Sequence, residues 1–114
     1  MIIQADVTEF HAHVYYARET RESAVALRDG LAQLAGGKLS LSQPSDGPRG
    51  PHVNPMFGVD VPAAALAETL AWLMLRHGPH AVLIHPVTSN ELMDHTHHAL
   101  WLGPPQPLDL SRLV

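Results

Sequence analysis

Two histidines stand two residues apart in the run FHAHVYY, residues 10–16. The run is rich in aromatic and β-branched side chains, so it predicts a strand, and residues i and i+2 of a strand share a face. His11 and His13 therefore project side by side, away from Phe10, Ala12 and Val14. Neutral imidazole is the commonest metal ligand, and two at this spacing can lean toward one ion. Seven further histidines lie at 52, 77, 80, 85, 95, 97 and 98, and the chain has no cysteine. That excludes thiolate zinc sites, iron–sulfur clusters, disulfides and a cysteine nucleophile. A metal here must be held by imidazole and oxygen. A histidine-only or histidine-plus-carboxylate set suits zinc, or iron(II) in its two-histidine, one-carboxylate form. Glu9 shares the phase of His11 and His13 and is the first carboxylate candidate; Asp60 and Asp94 are others.

The elements that position these residues follow from periodicity. A strand is expected from Val7 to Tyr16. In ETRESAVALRDGLAQLAGG, Ala24, Leu27, Leu31 and Leu34 recur at helical spacing, with Thr20 as N-cap and Gly36-Gly37 as the stop. KLSLSQ alternates and reads as a short strand, and the Pro/Gly-rich PSDGPRGPHVNP reads as a surface loop. MFGVDV alternates again, with Phe57, Val59 and Val61 on one side. Pro62 stands where a helix can begin, and that helix carries Leu66, Leu70, Leu73 and Met74 on one face before Gly78-Pro79. HAVLIHP is a strand stopped by Pro86. SNELMDHTHHALWL reads as a short helix or turn capped by Ser89 or Asn90, and the tail is Pro-rich.

The order βαββαβ predicts an α+β fold, a ferredoxin-like plait: a four-stranded antiparallel sheet with two helices on one face and a C-terminal extension. Strand 1 then lies between strands 3 and 4. Residues 1–114 form a single domain by size. The helix-covered face takes Phe10, Ala12, Val14, Phe57, Val59, Val61, Val82 and Ile84. The open face takes His11 and His13, Met56 and Gly58, Leu83 and His85, with His52 just ahead of strand 3. Neighbouring strands are about 4.8 Å apart, so histidines of three strands can meet. A single histidine is more often a hydrogen-bonded surface or pocket residue; the H-x-H pair with His52 and His85 nearby is what points to a metal. His77 and His80 flank a helix stop and read as structural. Asp94, His95 and His98 share a helical face of the kind that is often solvated. Trp72 reads as core and Trp101 as core or pocket wall.

The formal net charge is −4, without a basic cluster, so no nucleic-acid partner is expected. No apolar run approaches a membrane span, and the N-terminus lacks the pattern of a signal peptide. A cytoplasmic protein is expected.

FHAHVYY, GPH ahead of a strand containing MF, WLMLRHG, VLIHP followed by a threonine, and DHTHHALWLG stand in an order and spacing that resemble the DOPA 4,5-dioxygenase family, from Phe10 to Leu110. The chain departs from the family pattern after His52, at VNPMFGV, and after His85, at PVTSNE. The resemblance implies a ferredoxin-like protein performing extradiol cleavage of L-DOPA or a related catechol with non-haem iron(II) and O2. It carries over His11 and His13 in H-A-H, His52 in G-P-H, His85 in H-P, and Asp94-His95 in D-H. On that reading His11, His13 and His85, with Glu9, are the metal ligands. His52 is a ligand or the acid–base residue, and His95, oriented by Asp94, is the next acid–base candidate. Tyr15 would bind a substrate hydroxyl, and Arg49 or Arg18 a substrate carboxylate. Two other readings stand beside it: an enzyme using zinc or another divalent metal on the same histidines, and a non-enzymatic small-molecule-binding protein. In small plaits the open sheet face often forms a dimer interface, so a homodimer is expected.

Overall fold

A computed structural model describes residues 7–113. In chain order the elements are β1 (Glu9–Tyr15), α1 (Arg21–Ala32), β2 (Ser40–Leu41), β3 (Met56–Pro62), α2 (Leu66–Arg76), β4 (Val82–Pro86), α3 (Glu91–Asp94) and β5 (Leu100–Leu102), joined by short 3-10 turns. The sheet order is β2-β3-β1-β4-β5, and every pairing is antiparallel. Strand β1 lies between β3 and β4, as its alternation requires of a strand that carries side chains to both faces.

One face of the sheet is the main core. Ala12, Val14, Phe57, Val59, Val61, Val82 and Ile84 pack there against Ala24, Leu27 and Leu31 of α1 and Leu73 of α2. The period-2 pattern of each strand and the helical stripe of α1 were sufficient to assign these side chains. Gly30 has a steric role: a Cβ there would sit 2.6 Å from the Trp72 ring, so glycine lets α1 approach α2. The chain leaves the α1 region through Ala35, Gly36 and Gly37, all at positive φ, which the two glycines adopt without strain.

Several expectations need correction. The sheet has five strands, not four. Leu100, Trp101 and Leu102 pair with Ile84, Leu83 and Val82, so the edge that β4 would have exposed is covered. Pro62 closes β3 instead of opening α2; a 3-10 turn, Ala63–Ala65, intervenes. Met74 is 58% exposed, and Thr69 takes the buried place on α2. Thr20 gives α1 no side-chain cap; its hydroxyl bonds the Ala17 backbone instead.

The histidine-bearing face is not open either. Tyr15, Met56, Ala81 and Leu83 form a second buried cluster beneath Ala99, Trp101 and Leu108. The loop between β2 and β3 lies over this face. Asp46 anchors it by accepting from the Tyr16 hydroxyl at 2.7 Å and Arg21 Nε at 2.9 Å. His52 in this loop exchanges backbone bonds with Arg49 and bridges to Leu108, so the tail stitches the loop down. His80 is a buried strut: its ring contacts the Ser23 hydroxyl on α1 at 2.8 Å and the Tyr15 carbonyl on β1 at 2.9 Å.

Candidate metal centre

Register brings the histidines together. His11 is paired with His85 across β1–β4 and with Asp60 across β1–β3, and paired residues share a face. His13 lies opposite Gly58 and Leu83. Its ring centroid is 5.1 Å from His85 and 4.1 Å from His52, whose loop folds over it. His95 enters as the C-cap of α3, with its ring 4.1 Å from His85 and 5.9 Å from His52. That short helix is fixed by Asn90, whose side chain accepts from the Met93 N–H, and by buried Asp94. His13, His52 and His85 are 9, 5 and 3% exposed.

Burial keeps these rings neutral. His52 and His85 are each pushed down to about 4, by desolvation first and then by the neighbouring imidazoles. At His85 a hydrogen bond to the Pro86 carbonyl opposes the shift. His13 is driven well below the ordinary histidine range, again by burial first, with His52, His85, His11 and His95 adding to it. A neutral ring with a free lone pair is the form a metal takes.

Hydrogen bonds assign those lone pairs. A carbonyl only accepts, so His85 donates its Nδ1–H to Pro86 at 2.7 Å and His95 donates its Nδ1–H to Glu91 at 2.7 Å. Both keep a lone pair on Nε2. Donation of the remote ring N–H to a carbonyl is the usual support of a metal-ligating histidine. His13 Nε2 lies 3.1 Å from His85 Nε2. Two ligands each about 2.0–2.1 Å from one ion are separated by about that much. His13 Nδ1 is buried without any hydrogen-bond partner among the described residues.

Two three-histidine groups have ligand atoms within 4.8 Å of one another: His11–His13–His85 and His13–His52–His95. His13 belongs to both. The donors fit a divalent ion, and within each of these groups they are all imidazoles. Glu9 stands elsewhere. Its carboxylate accepts from His11 Nε2 at 3.0 Å, and Asp60 contacts the same nitrogen at 3.1 Å, in a half-exposed group at the rim. Glu9 thus backs His11 from the rim.

The other candidate residues are distributed unevenly. Tyr15 is buried at the cluster, its hydroxyl 2.7 Å from His52 Nδ1 and its ring stacked on Trp101 at 5.7 Å. Arg49 is exposed and touches the site through its backbone bonds to His52 and its field. Asp94 does not orient His95. It accepts from the Thr88 N–H and hydroxyl at 2.8 and 2.7 Å and from His98 at 2.9 Å. Adjacent helical residues point in different directions, whereas residues four apart meet. The Thr88–Asp94 clasp that sets α3 against β4 was not read from the sequence. Its only sequence signal is a threonine two residues before the Asn90 cap.

Residues 10–112 match the family model described as the Dopa 4,5-dioxygenase family. The chain belongs to that family. Among similar proteins, the DOPA 4,5-dioxygenase of Amanita muscaria is 29% identical over 98% of this chain and 52% of its own length. An uncharacterized 21.2 kDa protein of Botryotinia fuckeliana is 30% identical over 90% of this chain and 61% of its own. The chain therefore spans about half to three-fifths of the length of these relatives. A crystal structure of a candidate dioxygenase from Nostoc punctiforme superimposes with a TM-score of 0.89 at 33% identity, covering 94% of this chain and 91% of the other. As a member of the family, the chain is a dioxygenase-like protein with a buried histidine cluster able to hold a metal ion.

Proposed function

We propose that the chain is an extradiol ring-cleaving dioxygenase acting on L-DOPA or a related catechol, with iron(II) held by His11, His13 and His85 and with O2 as co-substrate. The observation that carries this reading is the convergence of four buried or half-buried histidines, from β1, β4, the β2–β3 loop and α3, on His13 in a member of this family. Bound there, the ion would acidify the catechol and couple it electronically to O2.

The chain's own residues supply the proton handling. Ring opening needs one group to take a catechol proton and one to return a proton. His95 has its Nδ1–H tied to Glu91 and so offers an acceptor at Nε2. His52, with its ring centroid 4.1 Å from His13 and 5.9 Å from His95, is placed to return it. Burial limits water at His52, and His95 is half-buried. A cavity of about 430 Å³, lined by Tyr15, Arg18, Asn54, Ala81 and Gln106 among others, shares Tyr15 with the cluster. Arg18 at that cavity or Arg49 beside His52 would meet a substrate carboxylate.

The test is anaerobic loading with iron(II), followed by L-DOPA, caffeate or protocatechuate and oxygen. Oxygen uptake with a yellow ring-cleavage product, lost in His13→Ala, is expected. Absence of uptake with every catechol overturns the proposal. The all-imidazole donor groups favour a second reading, a zinc enzyme, since three histidines and an open position are a catalytic zinc set. Metal analysis of protein purified without added metal separates the two.

A further inference from the structure

Among the described residues, Tyr15 is the one non-histidine side chain that makes a side-chain hydrogen bond to buried His52. Its hydroxyl lies 2.7 Å from His52 Nδ1, and no other hydrogen-bond partner for it exists among the described residues. The residue is 2% exposed, clamped by Trp101 and by its own backbone N–H bonded to Ala81. Two arrangements could fill that contact. If His52 donated from Nδ1, the phenolic proton of Tyr15 would be buried without an acceptor, which is costly. If Tyr15 donates, both groups are satisfied.

From this contact we infer that Tyr15 is a positioning residue that locks His52 in its Nε2–H tautomer, making His52 a proton donor toward the cluster and not a metal ligand. The Nε2 of His52 makes no hydrogen bond among the described residues, and it is not among the buried unsatisfied atoms, so its proton faces usable space. His85 and His95 are locked in the opposite sense by Pro86 and Glu91, with lone pairs at Nε2. The cluster thus carries complementary tautomers: lone pairs at His85 and His95, and an N–H at His52. The catalytic consequence rests on the dioxygenase reading above; the tautomer itself does not.

The test has two arms. In metal-free protein carrying 15N-labelled histidine, a long-range 1H–15N spectrum at pH 7 should show His52 protonated at Nε2 and bare at Nδ1. In Tyr15→Phe the His52 signals should move toward the mixture of tautomers seen for an unrestrained imidazole. With iron and catechol, Tyr15→Phe should lower kcat about tenfold or more with KM unchanged, and should hold metal within about threefold of wild type. A His52 protonated at Nδ1 in the wild type overturns the inference. So does a Tyr15→Phe variant that keeps full kcat, or whose loss follows weakened metal binding. The spectrum is read without turnover, so a chain that cleaves no catechol yet shows His52 protonated at Nε2 refutes the dioxygenase reading alone.

Discussion

Acidification of the metal-free protein should remove a large part of its stability before most of the carboxylates are protonated. An unfolded histidine titrates near 6.5, whereas His52 and His85 in the fold are held down to about 4. Their folded values lie below the unfolded one, so the neutral rings stabilise the fold fully above about pH 6.5. That contribution is lost as pH falls toward 4, because the unfolded chain then binds more protons. At about 1.4 kcal/mol per pKa unit, one such histidine contributes about 3 kcal/mol across the window. The two rings share one site and repel when both are charged, so they titrate as a unit and together contribute about 3–5 kcal/mol. A domain of this size has about 5–15 kcal/mol in all. The assay is urea unfolding in EDTA at steps from pH 7 to 4.5. With an m-value of about 1–1.5 kcal/mol per molar, the midpoint should fall by about 2 M or more. Asp46, Asp94 and Asp109 are held below their usual value, so their losses come at lower pH. His52→Gln should flatten the slope by about half. A midpoint that stays within about 0.5 M over that range, or a His52→Gln slope equal to wild type, would refute the reasoning.

Other perturbations test separate parts of the structure. His13→Ala removes the residue common to both ligand groups and should weaken divalent-metal binding by about 100-fold or more, read by competition with a chromophoric chelator. Thr69→Val should raise stability by about 1 kcal/mol, since the Thr69 hydroxyl is buried without a partner; a loss in urea midpoint would contradict that. Gly30→Val should cost about 1–3 kcal/mol and lower the thermal midpoint, because the Trp72 ring occupies the space a Cβ needs.

The sequence carried the face assignments of β1, β3 and β4 because alternation has a period of two and cannot drift. His11, His13 and His85 were legible for the same reason. What escaped was set by tertiary pairing. Three residues at 100–102 carry too little periodicity to announce β5; the free edge of β4 makes them a strand. His52 sits in a Pro/Gly-rich loop whose path depends on Asp46 and Leu108, so its contact with Tyr15 could not be read from phase alone. Asp94 was paired with His95 on adjacency, where helical geometry gives it His98. Glu9 has the phase of the histidine pair, yet its position at the start of β1 leaves it at the rim, on His11.

The most direct measurement is an anomalous difference map from crystals of the protein loaded anaerobically with iron(II). A single strong peak bounded by His11, His13 and His85, with His52 and His95 alongside and uncoordinated, is the predicted result. A peak held by Glu9, His11 and Asp60 at the rim, or no peak beside His13, would contradict the account.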